Sequence, residues 1–444
     1  MKYQAYADYK DSGVEWLGQV PKHWNVVSIK YLARFVGTGG TPKEETSFSE
    51  INDVHWFTPV DFNGDGVLSK SSKYITDISC KKGDAKLYHG GSVLVIGIGA
   101  TLGKVGLCLN SFSCNQQINI ITPNEKIVGM FMMNSLSVQL EQMKQLSNAS
   151  TIGIMNQEKT KLIKITIPPV SEQQTIDNFL HHETAKIDIL IEKQQQLIKL
   201  LKEKRQAVIS NAVTKGLNPN APLRDSGVEW LGEVPEHWTL PKIKWFFKTE
   251  SGGTPNTSKF ETYYQDGDIP WIRTTDLNNS ELFETPILIT KQAVIDSACS
   301  LLPKNTVLVA MYGGAGSIGM HAILKFVSTI NQAVCAILPN EKIDPNFLHL
   351  YVEFYRQYWM VGAEGTRKDP NINQETIRDL MISCPPLYEQ IEIIRITKDK
   401  LLVIDEVTSK SEVNIELMQE RRTALISAAV TGKIDVRHWN GEMV

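Results

Sequence analysis

One phrase occurs twice in this chain. Asp11-Ser-Gly-Val-Glu-Trp-Leu-Gly18, followed by Val20-Pro21 and His23-Trp24, returns as Asp225 to Gly232, followed by Val234-Pro235 and His237-Trp238. The step from Asp11 to Asp225 is 214 residues, close to half of the 444-residue chain. A period that long marks the copying of a whole module, because solenoids repeat every 20 to 50 residues or so.

The correspondence runs on past the opening phrase. Gly39-Gly40-Thr41-Pro42 returns as Gly252-Gly253-Thr254-Pro255, Trp56 and Asp61 as Trp271 and Asp276, and Asn115-Gln116 as Asn331-Gln332. Pro123-Asn-Glu-Lys-Ile127 returns as Pro339 to Ile343, and Pro168-Pro169 with Glu172-Gln173 returns as Pro385-Pro386 with Glu389-Gln390. Across these pairs the offset drifts only between 213 and 217, so small indels separate two otherwise collinear copies.

With 42% hydrophobic and 21% charged residues the chain has material for two to four globular units. No apolar run approaches the ~18 residues needed to cross a bilayer and Met1 to Asp8 has no apolar leader core, so a cytoplasmic protein without a membrane is expected. The six cysteines form no C-x-x-C pair with a matching histidine cluster, which argues against zinc and against a disulfide framework. Neither a metal site nor a catalytic residue is expected. The net charge of -3 constrains any nucleic-acid reading, because phosphate neutralisation supplies most non-specific affinity. Positive charge must then be local, or partner subunits must supply it.

Two kinds of sequence alternate within each copy. Short apolar runs such as Ser92 to Ile96, Ile118 to Ile121, Ile163 to Ile167, Thr306 to Val309 and Ala333 to Ile337 read as strands, with helices at Val128 to Leu146 and Pro345 to Met360 between them. From Ser171 to Val213, and from Leu387 to Val430, there is neither proline nor glycine, and helix formers dominate. Ser171-Glu-Gln-Gln174 has the form of a capping box. Ile176, Leu180, Ile187, Leu190, Leu197, Leu201 and Val208 fall on a heptad seam in the first helix, and Ile393, Ile404, Val407, Met418 and Leu425 on a weaker one in the second. Each helix of about 40 residues is about 60 Å long.

The expected fold class is therefore mixed α/β (α+β) globular domains in tandem duplication, joined by two long antiparallel coiled-coil helices in a pseudo-twofold dumbbell. The alternative is that each helix packs on its own domain. The expected boundaries are a first globular domain at 1–170, a first spacer helix at 171–215, a second globular domain at 216–387, and a second helix with a tail at 388–444.

The order of these motifs, twice over, resembles the specificity subunit of a type I restriction-modification system, and the resemblance covers essentially the whole chain. The residues that carry it include the repeated Ser-Gly-Val-Glu-Trp-Leu-Gly, the Gly-Gly-Thr-Pro, Ile269-Pro-Trp-Ile-Arg-Thr-Thr-Asp276, Gly99 to Gly106, and the helix entrances at Pro168 and Pro385. The helix ends Lys204-Arg-Gln-Ala-Val-Ile-Ser210 and Arg421-Arg-Thr-Ala-Leu-Ile-Ser427 fit as well. The resemblance implies two target-recognition domains, each reading half of a split, asymmetric site in double-stranded DNA, with the helices as a ruler between them. It further implies two modification subunits that bring S-adenosylmethionine and methylate adenine, and two restriction subunits that use ATP and Mg to translocate and cleave. On this reading the chain itself is not an enzyme and binds no cofactor.

Base and phosphate contacts need Arg, Lys, Asn, Gln, Ser or Thr. In the first copy the DNA-binding candidates are Thr41, Lys43, Lys70, Lys73, Lys104 and Asn115; in the second they are Thr254, Lys259, Arg273, Thr274, Arg367 and Lys368. The ordinary alternative is that the threonines and Asn115 shape turns and the lysines are solvated. Positions that differ between the copies are expected to choose sequence; shared positions are expected to serve folding or docking. Candidates for binding a partner subunit are Trp16, Trp24, Trp230, Trp238, Lys202 and Arg205, with core anchoring as the other role for the tryptophans.

Rival readings are a duplicated methyltransferase or nuclease and a protein scaffold without DNA selectivity. Phe35-Val-Gly-Thr-Gly39 superficially matches a methyltransferase cofactor string, yet the second copy has Thr249-Glu-Ser-Gly-Gly253 there. Gly97 to Lys104 fails the phosphate-loop spacing, and its counterpart Gly313 to Gly319 has no lysine.

Overall fold

The computed structural model describes residues 3–50, 53–62, 66–147, 153–314, 316–363 and 371–441, without the side chains of 361–363. Two compact units divide it: Met1–Gln194 with Val413–Val444, and Gln195–Glu412. The division falls inside both long helices, Val170–Thr214 and Leu387–Val430. Each unit thus holds the opening turns of one helix and the closing turns of the other.

In the first unit a four-stranded antiparallel sheet runs in the order Ala33–Thr38, Ile118–Pro123, Ser92–Ile96, Val105–Cys108. Side chains along a strand alternate between faces, and here both faces are covered. Val93, Val95 and Ile121 pack toward helix Gly129–Ser137 and the long helices, while Leu94, Ile96, Ile118 and Ile120 pack against Phe57 and Phe112. That double burial is why Ser92–Ile96 is apolar at nearly every position rather than at every second one. Phe57 and Phe112 come from a second small sheet in which Phe112–Cys114 runs parallel to Val54–Phe57.

The second unit repeats the plan with five strands, in the order Thr249–Ser251, Val334–Ile337, Val307–Ala310, His321–Leu324, Ser280–Leu282. Val307, Val309 and Ile323 face helix Pro345–Ala363 and the long helices; Leu308, Ala310, Ala322 and Leu324 face Ile272 and Ile330.

Two details depart from the sequence reading. The single helix expected over Val128 to Leu146 is two, Gly129–Ser137 and Leu140–Ser147. At the break the Ser137 hydroxyl donates to the Asn134 carbonyl at 2.8 Å, competing with the helical bond, and β-branched Val138 follows. The first long helix begins at Val170, with the Pro169 carbonyl accepting from Glu172 and Gln173, so Ser171 lies inside the helix rather than capping it. Along the expected seam Ile176, Leu180, Ile187, Ile393 and Ile404 are buried, whereas Leu190, Leu197 and Val407 are exposed.

The first unit closes on its own ends. After the second long helix, Ile434 and Val436 enter the core, Asp435 N donates to the Gln4 carbonyl at 2.8 Å, and the Lys433 ammonium donates to the carbonyl of Gln19 at 2.7 Å. Inside the same core Asp177 accepts from the Asn134 amide at 3.3 Å, and burial outweighs that bond, raising its carboxyl from 3.8 to about 7. A folded-state value above the unfolded one stabilises the fold at low pH, and that contribution is lost as pH rises from about 4 to about 7. At about 1.4 kcal/mol per unit it is worth at most roughly 4 kcal/mol. Asp177→Asn is accordingly expected to leave the unfolding midpoint almost unchanged below pH 4, to raise it slightly at pH 5 and to raise it by several degrees at pH 8, as calorimetry at these pH values will read.

Candidate nucleic-acid interface

Most of the repeated motif residues are bonded inside their own unit. At the entrance of the first long helix the Glu172 carboxylate accepts from Tyr6 Oη at 2.7 Å and Trp24 Nε1 at 3.1 Å, and pairs with His23 Nε2 at 2.9 Å. Burial, then the bond to Glu172, pushes the Tyr6 phenol well above its ordinary range. In the second unit Glu389 takes the same place, meeting His237 Nε2 at 2.9 Å and Trp238 Nε1 at 3.2 Å. The neighbouring glutamine fastens a different segment. Gln173 accepts from Val128 N at 2.8 Å and donates to the carbonyls of Lys126 and Pro168; Gln390 does the same with Asp344, Lys342 and Pro385. The repeated His-Trp, Pro-Asn-Glu-Lys-Ile and Glu-Gln phrases are therefore three parts of one joint.

A second joint lies at the opposite end of the strands. A Cβ on Gly39 would overlap the backbone of Cys114 and Asn115, and one on Gly252 would overlap the Ile330 carbonyl, which is why the Gly-Gly-Thr-Pro turn opens on glycine. Trp56 Nε1 donates to the Gly40 carbonyl at 3.2 Å and Trp271 Nε1 to that of Gly253 at 3.0 Å. The Thr41 hydroxyl donates to Gln116 Oε1 at 2.6 Å, and Thr254 bonds Gln332 in the same way. Asn115 Oδ1 accepts from Gln117 N at 3.1 Å and Asn331 Oδ1 from Ala333 N at 3.1 Å. Asn115 is buried and shapes this turn, whereas Thr41 and Thr254 stand at an exposed edge with their partner glutamines.

The candidate cations stand around this joint. Lys70 and Lys104 line one groove of about 620 Å³ with Asp61 and Gly103, and the Lys104 ammonium donates to the Phe62 carbonyl at 3.3 Å. Lys73 lies over the rings of Phe48 and Trp56, and Lys43 is exposed beside Asp84, to which its amide donates. In the second unit the Arg273 guanidinium is held in two bonds to Asp276, at 3.1 and 3.3 Å. Thr274 is buried next to Gly313, so its side chain is part of the turn rather than of the surface. Lys259 lies over the Tyr263 ring at 5.3 Å. Arg367 and Lys368 lie outside the described residues.

Arg273 is the most informative of these side chains. Asp61 accepts from Thr58 N at 2.7 Å and Asp276 from Arg273 N at 2.8 Å, so both units build the same capped turn. The aspartate is the residue they share; Thr58-Pro59-Val60 in one stands where Arg273-Thr274-Thr275 stands in the other, and the turn opens on Thr58 or on Arg273.

The enzyme-like strings resolve into ordinary strand geometry. Gly97 to Lys104 turns the chain between Ser92–Ile96 and its antiparallel neighbour Val105–Cys108, and Gly313 to Gly319 does so between Val307–Ala310 and His321–Leu324. A phosphate loop instead joins a strand to a helix N-terminus. Phe35-Val-Gly-Thr-Gly39 lies mostly within strand Ala33–Thr38.

Among the partner-binding candidates, Trp24 and Trp238 are fully buried and bonded to Glu172 and Glu389, so they anchor the core and present no surface. Trp230 packs on Tyr355 with ring centroids 4.6 Å apart, Trp16 is at the edge of exposure, and Lys202 is exposed. Arg205 is engaged within the second unit. It pairs with Asp405 at 3.1 Å and with Glu353, and in the first unit Arg422 pairs with Asp188 at 2.9 Å at the corresponding positions. Glu172 and Glu389 were the functional carboxylates that residue type alone passed over; their recurrence beside glutamine was the signal.

Comparison with known proteins agrees with this architecture. The MjaIX specificity subunit of Methanocaldococcus jannaschii is 23% identical over 449 residues, covering 98% of each chain, and the EcoKI specificity subunit of Escherichia coli K12 is 20% identical over 442 residues, covering 96% of this chain and 92% of that one. Among solved structures, a chain from a study of assembly and conformational transition of the type I R-M system superimposes with a TM-score of 0.72 at 13% identity, over 93% of this chain and 98% of that one. The HsdS subunit of Thermoanaerobacter tengcongensis gives 0.53 at 13% identity, over 94% and 98%. Residues 21–200 and 235–416, one stretch in each copy, match the type I restriction modification DNA specificity domain, and a chain built from two such stretches belongs to that family.

Proposed function

We propose that each unit reads one half of a bipartite, asymmetric DNA site and that the long helices set the gap between the halves. The chain directs adenine methylation and restriction carried out by partner subunits, two modification and two restriction subunits in the complete assembly. S-adenosylmethionine, ATP and Mg reside on those partners, and this chain contributes recognition alone. Specificity subunits of type I systems act in complexes with DNA and with modification and restriction subunits, which suits a chain whose own net charge is -3.

The observation that carries the reading is the contrast at the capped turn. Asp61 and Asp276 hold the same backbone, while the residue presented there changes from Thr58 to Arg273. Two similar frames with different presented side chains suit two different half-sites. Arginine held in a plane by a carboxylate is preset for the two acceptors on the major-groove edge of guanine, a contact worth about 1–3 kcal/mol of discrimination.

Co-expression with a modification subunit, followed by mapping of methylated adenines, tests this. Arg273→Ala is expected to relax one position in one half-site by roughly 10- to 100-fold and to leave the other half unchanged. Lys70→Ala and Lys104→Ala are expected to weaken binding across sequences and to lower the salt dependence, without changing the motif. A scaffold without DNA selectivity would give no motif at all.

A further inference from the structure

Three metal-ligating side chains meet in the second unit where the first, at the matching positions, has no histidine and no carboxylate. His321 opens strand His321–Leu324, and His349 and Glu353 stand one turn apart on helix Pro345–Ala363, which packs on that strand. Their donor atoms lie within 4.8 Å of one another, and the two imidazole rings are 4.6 Å apart. Pairing of strands places His321 opposite Val309 as Val105 stands opposite Val95, and aligning Phe347 with Phe131 matches His349 to Met133 and Glu353 to Ser137. The duplicated fold is thus made with Val, Met and Ser at these places.

Burying imidazoles there is costly unless each nitrogen finds a partner. His321 Nδ1 lies 3.0 Å from the Gly319 carbonyl, which can only accept, so Nδ1 carries the proton and Nε2 presents its lone pair. The Nε2 atoms of both His321 and His349 have no hydrogen-bond partner among the described residues, and both residues are over nine-tenths buried. Burial also lowers both imidazoles below their ordinary range, leaving them neutral at pH 7. Glu353 is half-buried and already oriented by Arg205. A cavity of about 270 Å³, lined by His321, Glu353, Asn279, Arg356 and Met360 among others, adjoins the cluster and offers a way in.

We propose that His321, His349 and Glu353 form a binding site for a divalent transition-metal ion, zinc in the first instance, that pins helix Pro345–Ala363 to the central sheet of the second unit. Two imidazoles and one carboxylate are a recognised zinc donor set with a fourth position for water. At bond lengths of about 2.0–2.2 Å tetrahedral donors sit about 3.4 Å apart, so binding draws these side chains together by about 1 Å. Gly319 and Arg205 take the outer places, orienting a histidine and the carboxylate. Cysteine spacing gave no hint of this site, because its ligands come from a strand and a helix and include no cysteine.

The test uses the full chain stripped with a chelator and then titrated with Zn(II) or Co(II). One ion per chain, a raised unfolding midpoint and the visible bands of tetrahedral Co(II) are expected. The paired variant His321→Val with His349→Met installs the residues of the first copy, so that the fold is retained, and should weaken binding at least 100-fold. Glu353→Gln should weaken it too, while leaving a folded chain. Failure of the native chain to bind either ion at 0.1 mM, or equal binding by the paired variant, would overturn the proposal. A methylation motif that persists in the presence or absence of the ion leaves the recognition reading standing on its own.

Discussion

Replacing Glu172 with alanine is expected to destabilise the first unit by about 3–5 kcal/mol, the largest stability effect of any single substitution considered. The change removes the acceptor shared by Tyr6 and Trp24, both buried, and leaves an O–H and an N–H without a partner. Each such orphan costs about 1–3 kcal/mol, and loss of the pairing with His23 adds to it. Glu389→Ala should cost about 1–3 kcal/mol, because Glu389 is more open and meets only His237 and Trp238. Calorimetry of both variants is the check: the first should split off an early transition, the second should shift its transition less. Equal effects would mean that the Tyr6 bond contributes little.

Lengthening both long helices together should move the two halves of the recognised site apart. Within the second unit Arg205 meets Asp405, and within the first Arg422 meets Asp188, so an insertion in one helix alone would put it out of register with the other. Seven residues added after Gln194 and seven more after Glu412 keep the heptad phase. At 1.5 Å per residue the added length is about 10 Å, or about three base pairs of B-DNA. Mapping methylated adenines should show both half-sites unchanged and the gap wider by about three. An unchanged gap would remove the helices from the role of ruler.

Much of this fold was legible because its signals were long or repeated. The helices from Val170 and from Leu387 announce themselves by more than 40 residues without proline or glycine. Ser92 to Ile96 and Thr306 to Val309 read as strands, and strands stand there at Ser92–Ile96 and Val307–Ala310; that both faces are covered came only with the structure. What sequence could not give was the balance of short competing bonds. The break at Val138 depends on one serine hydroxyl, and the start at Val170 on one proline carbonyl.

The site was less legible than the fold, since residue type does not reveal what a side chain is already bonded to. Asn115, Thr274 and Arg205 have the chemistry of DNA or partner contacts, yet each is engaged within its own unit. Glu172 stood in the sequence only as part of a repeated Glu-Gln pair at a helix entrance, and it is the centre of a buried joint. His321 and His349 are 28 positions apart, and only the packing of helix on sheet brings them together.

The account rests on frames that are shared and surfaces that differ, and one chimera tests it most directly. Residues 25–167 are replaced by the corresponding stretch of a relative with a different target, the chain is co-expressed with its modification subunit, and methylated adenines are mapped across a genome. The account predicts a bipartite motif in which one half becomes that of the relative while the other half and the gap stay as they were. A motif changed in both halves, or in neither, would contradict it.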